Sequence, residues 1–210
     1  MKVSISRFEK DGKITLQESA GMAIVTLYRP RYKNAMTVNM WKELARIGKR
    51  IMDNPKTKVV VLRGAGEEFT TGSDLKEFNQ MSLGEVNQAF VLIEETLSTF
   101  EQLPLPTVAV INGHALGAGF QLALACDLRI GTPSAKMGMP IGRLGITISR
   151  KFTQRIYDLL GPSRTKELVY TGRLLDSEEC YQLGLLNYLL KKEENVDRFV
   201  VTLAKQIAEQ

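Results

Sequence analysis

The sequence predicts an α/β fold from three observations. Apolar runs that are too short for helices, such as residues 59–62 and 107–111, recur along the chain. Segments with helical periodicity lie between these runs, and glycine-containing turns join several of them. With 210 residues, 44% of them hydrophobic, the chain can bury a sizeable core without a metal or a disulfide. Strands that alternate with helices in this way indicate a sheet covered by helices.

The first third of the chain predicts a hairpin followed by a helix. Residues 13–18 and 22–28 are rich in β-forming side chains, and Ser19-Ala20-Gly21 separates them as a turn. Apolar residues then recur at helical spacing from Met40 to Ile51, and Thr37 is the expected N-cap. We therefore expect a hairpin, a charged loop and an amphipathic helix.

The middle of the chain predicts two buried strands on either side of a long helix. Val59–Leu62 is an all-apolar run, as expected for a strand covered on both faces. Ser82 and Glu85 form a capping box, and an apolar face runs from Val86 to Phe100. Thr107–Ile111 is the second buried strand.

The remainder predicts mostly helices. Gly117-Ala118-Gly119 opens an apolar helix that reaches Ala125, and residues 127–130 return as a strand. A helix over 152–160 ends at Gly161-Pro162, a C-cap glycine followed by a helix-starting proline. Asp176 and Glu179 cap another helix, and an amphipathic helix covers residues 196–207.

Composition excludes several classes of protein. The net charge of +5 comes from scattered cations, which is too sparse for a nucleic-acid-binding stripe. Residues 102–126 lack charged side chains but contain prolines and polar residues, so they are a poor membrane span. Two isolated cysteines, Cys126 and Cys180, fit a reducing compartment and provide no metal site. We expect a cytoplasmic protein that binds neither nucleic acid nor membrane.

Two segments carry candidate chemistry. Asn112–Asp127 follows a buried strand and enters a helix through Gly117 and Gly119, where the backbone can approach a ligand closely. Phe69–Lys76 also follows a buried strand and contains Asp74. Taken singly, the first is equally typical of a tight packing turn, and the second of a polar loop whose Asp74 caps a helix.

Together the two segments resemble the crotonase superfamily, the enoyl-CoA hydratase/isomerase family. The F-x-x-G-x-D-[LI]-x-E motif of that family matches residues 69–77, and its glycine-turn motif matches residues 112–127. The R-P-x-x-x-N-A motif matches Arg29–Ala35, and weaker echoes of two later motifs occur at 137–146 and 170–186.

The resemblance implies a spiral of ββα units, with two roughly perpendicular sheets surrounded by helices. It implies an acyl-CoA enzyme of fatty acid metabolism, a lyase or an isomerase, in which two backbone N–H groups polarise the thioester carbonyl. Those donors map to Thr71 and Ala118. Coenzyme A is then part of the substrate, and no separate cofactor is expected.

The two glutamate positions of the family hydratases map to Gln121 and Ile141. Gln cannot take a proton at neutral pH and Ile can neither donate nor accept one, so standard hydratase activity is doubtful. Arg143 could instead hold a carboxylate on the acyl group. A catalytically silent acyl-CoA-binding or scaffold subunit is the alternative to an enzyme.

The resemblance also places the remaining contacts with acyl-CoA. Arg31 and Lys33 map to the loop that meets the nucleotide end of CoA, and a cation pair suits its phosphates. The residues expected to bind the ligand are Arg31, Lys33, Ala35, Gly72, Ser73, Asp74, Leu75 and Gly117.

Two expectations concern organisation. Residues 1–190 should form the crotonase-like core, and residues 191–210 should begin a C-terminal helical segment that is truncated here. Members of the family form trimers or dimers of trimers, so we expect a homo-oligomer.

Overall fold

The computed structural model describes residues 11–145 and 147–209, except for the side chains of Arg143 and Leu144. The strands are β1 (Lys13–Ser19), β2 (Met22–Tyr28), β3 (Val59–Gly64), β4 (Thr107–Ile111), β5 (His114–Leu116), β6 (Leu128–Gly131), β7 (Lys136–Gly138), β8 (Leu174–Leu175) and β9 (Tyr188–Leu189). The α-helices are α1 (Val38–Met52), α2 (Leu75–Phe78), α3 (Leu83–Glu101), α4 (Ala118–Leu124), α5 (Arg150–Thr171), α6 (Ser177–Gln182) and α7 (Val196–Ala208). Short 3₁₀ turns cover Pro30–Tyr32 and Pro140–Leu144.

A six-stranded sheet with the order β1-β2-β3-β4-β6-β9 forms the centre of the molecule. The predicted hairpin β1–β2 is antiparallel, and every later pairing in this sheet is parallel. The parallel arrangement requires crossover connections, which the helices supply. The α/β class predicted from the sequence is confirmed.

Helices cover both faces of this sheet. Along β3, Val59 and Val61 pack in one apolar cluster with α7, whereas Val60 and Leu62 pack in the other, larger cluster. Neighbouring side chains of a strand point to opposite faces, so an all-apolar run is buried on both sides. The expectation for residues 59–62 is therefore confirmed.

A smaller three-stranded sheet has the order β5-β7-β8. Sequence reasoning missed these strands and also β9, because each has only two or three residues and shows no measurable alternation. The small sheet matters for the site, since it places Leu116 beside Gly138 at the entrance to α4.

The predicted helix boundaries are confirmed by their caps. The Thr37 side chain accepts a hydrogen bond from the Met40 amide, and both reciprocal bonds of the Ser82–Glu85 capping box are present. Asp176 and Glu179 form a second capping box at the start of α6.

Helix α5 is broken where the sequence predicted a stop. Gly161 has φ 69° and ψ 177°, a conformation outside the helical region, and Pro162 begins the next helical segment. Among the described residues no helix is long and apolar enough to cross a membrane.

Candidate active site

A cavity of about 830 Å³ opens between α3, the start of α5 and the two motif loops. Its size is within the usual range for sites that bind small molecules and cofactors. Most of its wall is apolar, and the lining residues are Thr71, Gly72, Ser73, Leu75, Phe78, Phe90, Val91, Ile93, Glu94, Glu95, Leu116, Gly117, Ala118, Met139, Pro140, Ile141, Thr147, Ile148, Ser149 and Phe152.

The first motif loop is held by backbone hydrogen bonds on two sides. On one side, the Thr70 amide donates to the His114 carbonyl, and the Leu116 amide donates to the Thr70 carbonyl. On the other side, the Met36 amide donates to the Gly72 carbonyl and the Asp74 amide donates to the Met36 carbonyl, both at 2.8 Å. The loop is therefore fixed against the second motif on one side and the 33–36 segment on the other.

The second motif loop approaches the first at backbone distance. Gly72 has φ +91°, and a Cβ atom added there would lie 2.6 Å from the Leu116 oxygen and 3.2 Å from the Ala118 nitrogen. A Cβ atom at Gly119 would lie 2.6 Å from the Thr70 oxygen. Only glycine permits this approach of the two loops at Gly72 and Gly119, whereas a Cβ atom added at Gly117 would meet nothing within 4 Å.

The two motif loops each bring to the cavity wall an amide that is free to donate. Ser73 and Ala118 both line the cavity, and their N–H groups have no acceptor within residues 11–145 and 147–209. Ala118 is the first residue of α4, where an amide has no partner inside the helix. The Ser73 hydroxyl is held by the Trp41 indole N–H at 3.3 Å.

The assignment of Thr71 as one of the two donors is wrong. The Thr71 amide donates to the Lys33 carbonyl at 3.2 Å, so it is already used inside the fold. On the same loop, an amide that has no acceptor among the described residues lies two residues later, at Ser73. Sequence reasoning could not separate the two, because the acceptor belongs to a loop almost forty residues earlier in the chain.

Asp74 stabilises the first loop and lies outside the cavity wall. Its carboxylate caps α2 by accepting from the amides of Lys76 and Glu77, and it pairs with Arg29 at 2.7 Å. Burial raises the pKa of Asp74, but the hydrogen bonds from Arg29 and the two amides outweigh it and hold the pKa below its usual value. The predicted cap is confirmed.

The R-P-x-x-x-N-A motif supports the same loop. The Arg29 guanidinium donates to the Ala35 carbonyl at 2.9 Å as well as to Asp74. The Asn34 amide group donates to the carbonyls of Ala65 and Glu68. These bonds fix residues 33–36, which we call the clamp, and the backbone groups of Lys33 and Met36 in the clamp bond to the first motif loop.

Gln121 and Ile141, the two positions to which the sequence analysis mapped the glutamates of the family hydratases, differ in location. Ile141 is nearly buried and lines the cavity. Gln121 is fully buried and does not belong to the wall, and its amide nitrogen donates to the Phe152 carbonyl at 3.1 Å. Its Oε1 atom has no partner among the described residues. Gln121 thus ties α4 to the first turn of α5.

The cationic loop lies away from the cavity wall. Lys33 is 59% exposed and its ammonium is 3.3 Å from Glu68. Glu68 also accepts from the backbone and ring of His114, at 2.6 and 2.8 Å. Arg31 is exposed. Of the residues predicted to bind the ligand, Gly72, Ser73, Leu75 and Gly117 line the cavity, whereas Arg31, Lys33, Ala35 and Asp74 do not.

Helix α3 contributes wall residues that sequence reasoning missed. Phe90, Val91, Glu94 and Glu95 line the cavity from one side of this helix. The available signal was a pair of adjacent carboxylates next to the apolar stripe from Val86 to Phe100. Arg143, proposed from the sequence to hold an acyl carboxylate, has its side chain outside the described residues.

The cavity combines a mostly apolar wall with backbone amides that have no acceptor among the described residues. An apolar wall strengthens any hydrogen bond made inside the cavity. Met139 lies in the wall and Met137 is buried in the core.

Several known proteins are similar to this chain. The family model for enoyl-CoA hydratase/isomerase matches residues 17–210. The Bacillus subtilis protein YngF, which is assigned to the enoyl-CoA hydratases/isomerases, is 40% identical over 169 residues. That alignment covers 80% of this chain and 65% of YngF, so the chain spans less than two thirds of this relative.

Solved structures share the fold. The enoyl-CoA hydratase of Bacillus anthracis superposes with a TM-score of 0.89 at 36% identity, covering 94% of this chain and 77% of that one. A Thermobifida fusca protein crystallised in complex with acetoacetyl-CoA superposes with a TM-score of 0.85 at 33% identity, covering 94% of this chain and 80% of that one.

Proposed function

Because the chain belongs to the enoyl-CoA hydratase/isomerase family, we propose that it binds an acyl-CoA thioester with the acyl group in the cavity. The thioester oxygen accepts hydrogen bonds from the amides of Ser73 and Ala118. These bonds stabilise the negative charge that develops when the thioester becomes an enolate. One donor of this kind is worth about 2.7–4 kcal/mol in rate.

The single observation that supports this proposal is the pair of free amides in the cavity wall. Ser73 directly follows Gly72, whose backbone lies against Ala118. The donors are therefore on neighbouring backbone segments, and the clamp from residues 33–36 fixes the first of them. Donors that are already in position do not have to reorganise during the reaction.

The proposal can be tested by removing a single N–H group, that of Ala118. Ala118→Pro removes the N–H group, and proline is well tolerated at the first position of a helix. We expect the variant to lose roughly 10²–10³ in turnover of an acyl-CoA substrate. Ala118→Gly, which keeps the N–H, serves as the control and should retain most activity. Equal activities in two folded variants would refute the role of this amide.

We propose that Gln121 and Ile141 occupy the positions of the proton-transfer groups of an ordinary hydratase. Ile141 lines the cavity without a titratable group, and Gln121 is occupied with the Phe152 carbonyl. Each positioned acid or base contributes roughly 10²–10⁴ in rate, so we propose that water addition to a 2-enoyl-CoA is slow.

Crotonyl-CoA hydration, followed by the loss of enoyl absorbance, tests this statement. We expect very low turnover in the unmodified protein and an increase in the double variant Gln121→Glu with Ile141→Glu. Turnover comparable to ordinary family hydratases in the unmodified protein would show that water is activated by another group.

The nucleotide end of CoA is proposed to meet Arg31 and Lys33, which lie on the exposed loop beside the first motif. No further cofactor is needed for the proposed chemistry, since CoA enters as part of the substrate. We also propose a homotrimeric or paired trimeric assembly and a cytoplasmic location. The relatives described above do not support a catalytically silent protein.

A further inference from the structure

Helix α3 brings carboxylates to a cavity wall that is otherwise apolar. Phe90, Val91, Glu94 and Glu95 are spaced so that they share one side of the helix, next to Phe78 of α2. In the part of the wall that the structure describes, Glu94 and Glu95 are the charged residues and no cation is present. The wall therefore has a negative region facing the ligand space.

The two carboxylates are in different electrostatic situations. Glu94 is paired with Arg155, at 2.6 Å, and lies 3.9 Å from the Lys151 ammonium. Arg155 is shared with Glu101, and its side chain is only 6% exposed. The cations near α3 are thus already bound to Glu94 and Glu101.

The negative charge of the Glu95 carboxylate is not balanced by a cation among the described residues. Its side chain has no hydrogen-bond or ion-pair partner among the described residues, and it is exposed to the cavity and solvent. The ion pairs of Arg155 and Lys151 involve Glu94 and Glu101, and none of them includes Glu95. Of the two carboxylates in the described part of the wall, that of Glu95 is therefore the one without a cation partner.

On this basis, and resting on the proposed function, we infer that Glu95 sets the acyl specificity of the cavity against chains that carry a terminal carboxylate. A carboxylate that enters the cavity loses water and meets a like charge, and both effects are stronger beside apolar walls than in bulk solvent. An uncharged acyl chain packs against Phe78, Phe90 and Phe152 without these costs. The substrate class is therefore an acyl-CoA with an uncharged chain.

Matched pairs of ligands test this inference. Pentanoyl-CoA and glutaryl-CoA have five acyl carbons and differ in the terminal group, as do octanoyl-CoA and its dicarboxylic counterpart. All four share the same CoA, so contacts with the nucleotide end cancel in each ratio. Isothermal titration calorimetry at physiological salt should give weaker binding of both dicarboxylic ligands, by about tenfold in at least one pair.

Two variants locate the effect. Glu95→Gln keeps the shape of the side chain and removes its charge. It should lower the ratio of the two dissociation constants in a pair by about three- to tenfold, because only the dicarboxylic ligand binds more tightly. Glu95→Lys should lower this ratio further or invert it. Glu178→Gln changes an exposed helical glutamate outside the cavity wall and should leave both ratios unchanged.

The outcomes separate this inference from the proposed function. Tight binding of pentanoyl-CoA with a ratio that Glu95 variants do not move would overturn the role of Glu95 and leave the proposed function standing. Tighter binding of glutaryl-CoA by the unmodified protein would also overturn it and would favour the hypothesis that Arg143 holds a carboxylate. Failure of all four ligands to bind would overturn both proposals.

Discussion

Gly72 is one of the two residues, with Gly119, at which the two loops of the site come very close. Its positive φ is a conformation that other residues rarely adopt, and its missing side chain leaves room for the Leu116 carbonyl. The free amide of Ser73 follows directly. The position of one proposed donor therefore depends on a residue that has no side chain of its own.

Replacing Gly72 with alanine should damage the site more than the fold. The added Cβ atom would overlap the Leu116 oxygen, so the two loops must separate. We expect a cost of about 1–3 kcal/mol in stability and a loss of acyl-CoA binding. Thermal unfolding and calorimetry measure the two effects.

Gly84→Ala is the control, because a Cβ atom at Gly84 in α3 meets nothing within 4 Å. This variant should be neutral or more stable by up to about 1 kcal/mol. If Gly72→Ala behaved in the same way, the close approach of the loops would not be required for binding.

At the level of elements, the break in α5 separates two helical segments that pack differently. The first turn of α5 contributes Phe152 to the cavity wall and accepts the hydrogen bond from Gln121. Beyond Gly161, the helix continues to Gly172, which ends it in the left-handed conformation. Phe152 of the first segment and Leu168 of the second both pack in the large apolar cluster, so the element reaches the site and the core on the two sides of the break.

Gly161→Ala should therefore destabilise the protein although the position has open space. With φ 69° and ψ 177°, Gly161 occupies a region that is almost restricted to glycine, and a side chain costs about 1–3 kcal/mol there. Differential scanning calorimetry should show a lower Tm. Pro162→Ala, next to it in the chain, should change Tm much less, and an equal fall in both variants would argue against backbone strain as the cause.

The elements were predictable where local chemistry determines them. The caps at Thr37, Ser82 and Asp176 bond to amides three residues away in the chain. The all-apolar composition of residues 59–62 is enough to predict that the strand is buried on both faces. The strands β7 and β9 were not predictable, since their pairing depends on partners far away in the chain.

The site was predictable to the same extent. Motif spacing located both loops and the glycines that let them meet. The choice between Thr71 and Ser73 required the position of the Lys33 carbonyl, which is a tertiary contact. The carboxylates of α3 reach the cavity only because the helix lies across it.

At the level of the whole molecule, two carboxylates join segments that are distant in sequence. Asp74 connects α2 to Arg29, and Glu68 connects His114 to Lys33. Burial raises the pKa of Glu68, but the hydrogen bonds from His114 and Lys33 outweigh it and hold the pKa below its usual value, as for Asp74. Both groups therefore stabilise the fold in their ionised form.

The stability of the protein should consequently fall in acid. A carboxylate whose folded pKa is depressed contributes above its unfolded pKa, roughly 4, and the contribution is lost as the pH falls through the folded value. Asp74→Asn should lower stability at pH 7 by about 1.5–3 kcal/mol, and its difference from the unmodified protein should shrink below about pH 4. Urea unfolding across this pH range measures the loss of stability at pH 7 and its decrease in acid. Asp53→Asn, at an exposed helix end, is the control and should not show the loss of stability expected for Asp74→Asn. If the stability difference between Asp74→Asn and the unmodified protein stayed constant with pH, it would contradict the role given to Asp74.

The order of strands in the large sheet also determines what happens while the chain is being made on the ribosome. Strand β6 pairs with β4 on one side and with β9 on the other, and Ile130 meets Tyr188 only after the intervening residues have been synthesised. The valine face of β3 and β4 is covered by α7, which is made later still. Parallel pairing over such separations is slow, and open edges with uncovered apolar faces favour aggregation. The nascent chain therefore exposes an incomplete sheet with an uncovered apolar face until residues 196–208 are made, so we expect aggregation during synthesis to be a hazard for this fold.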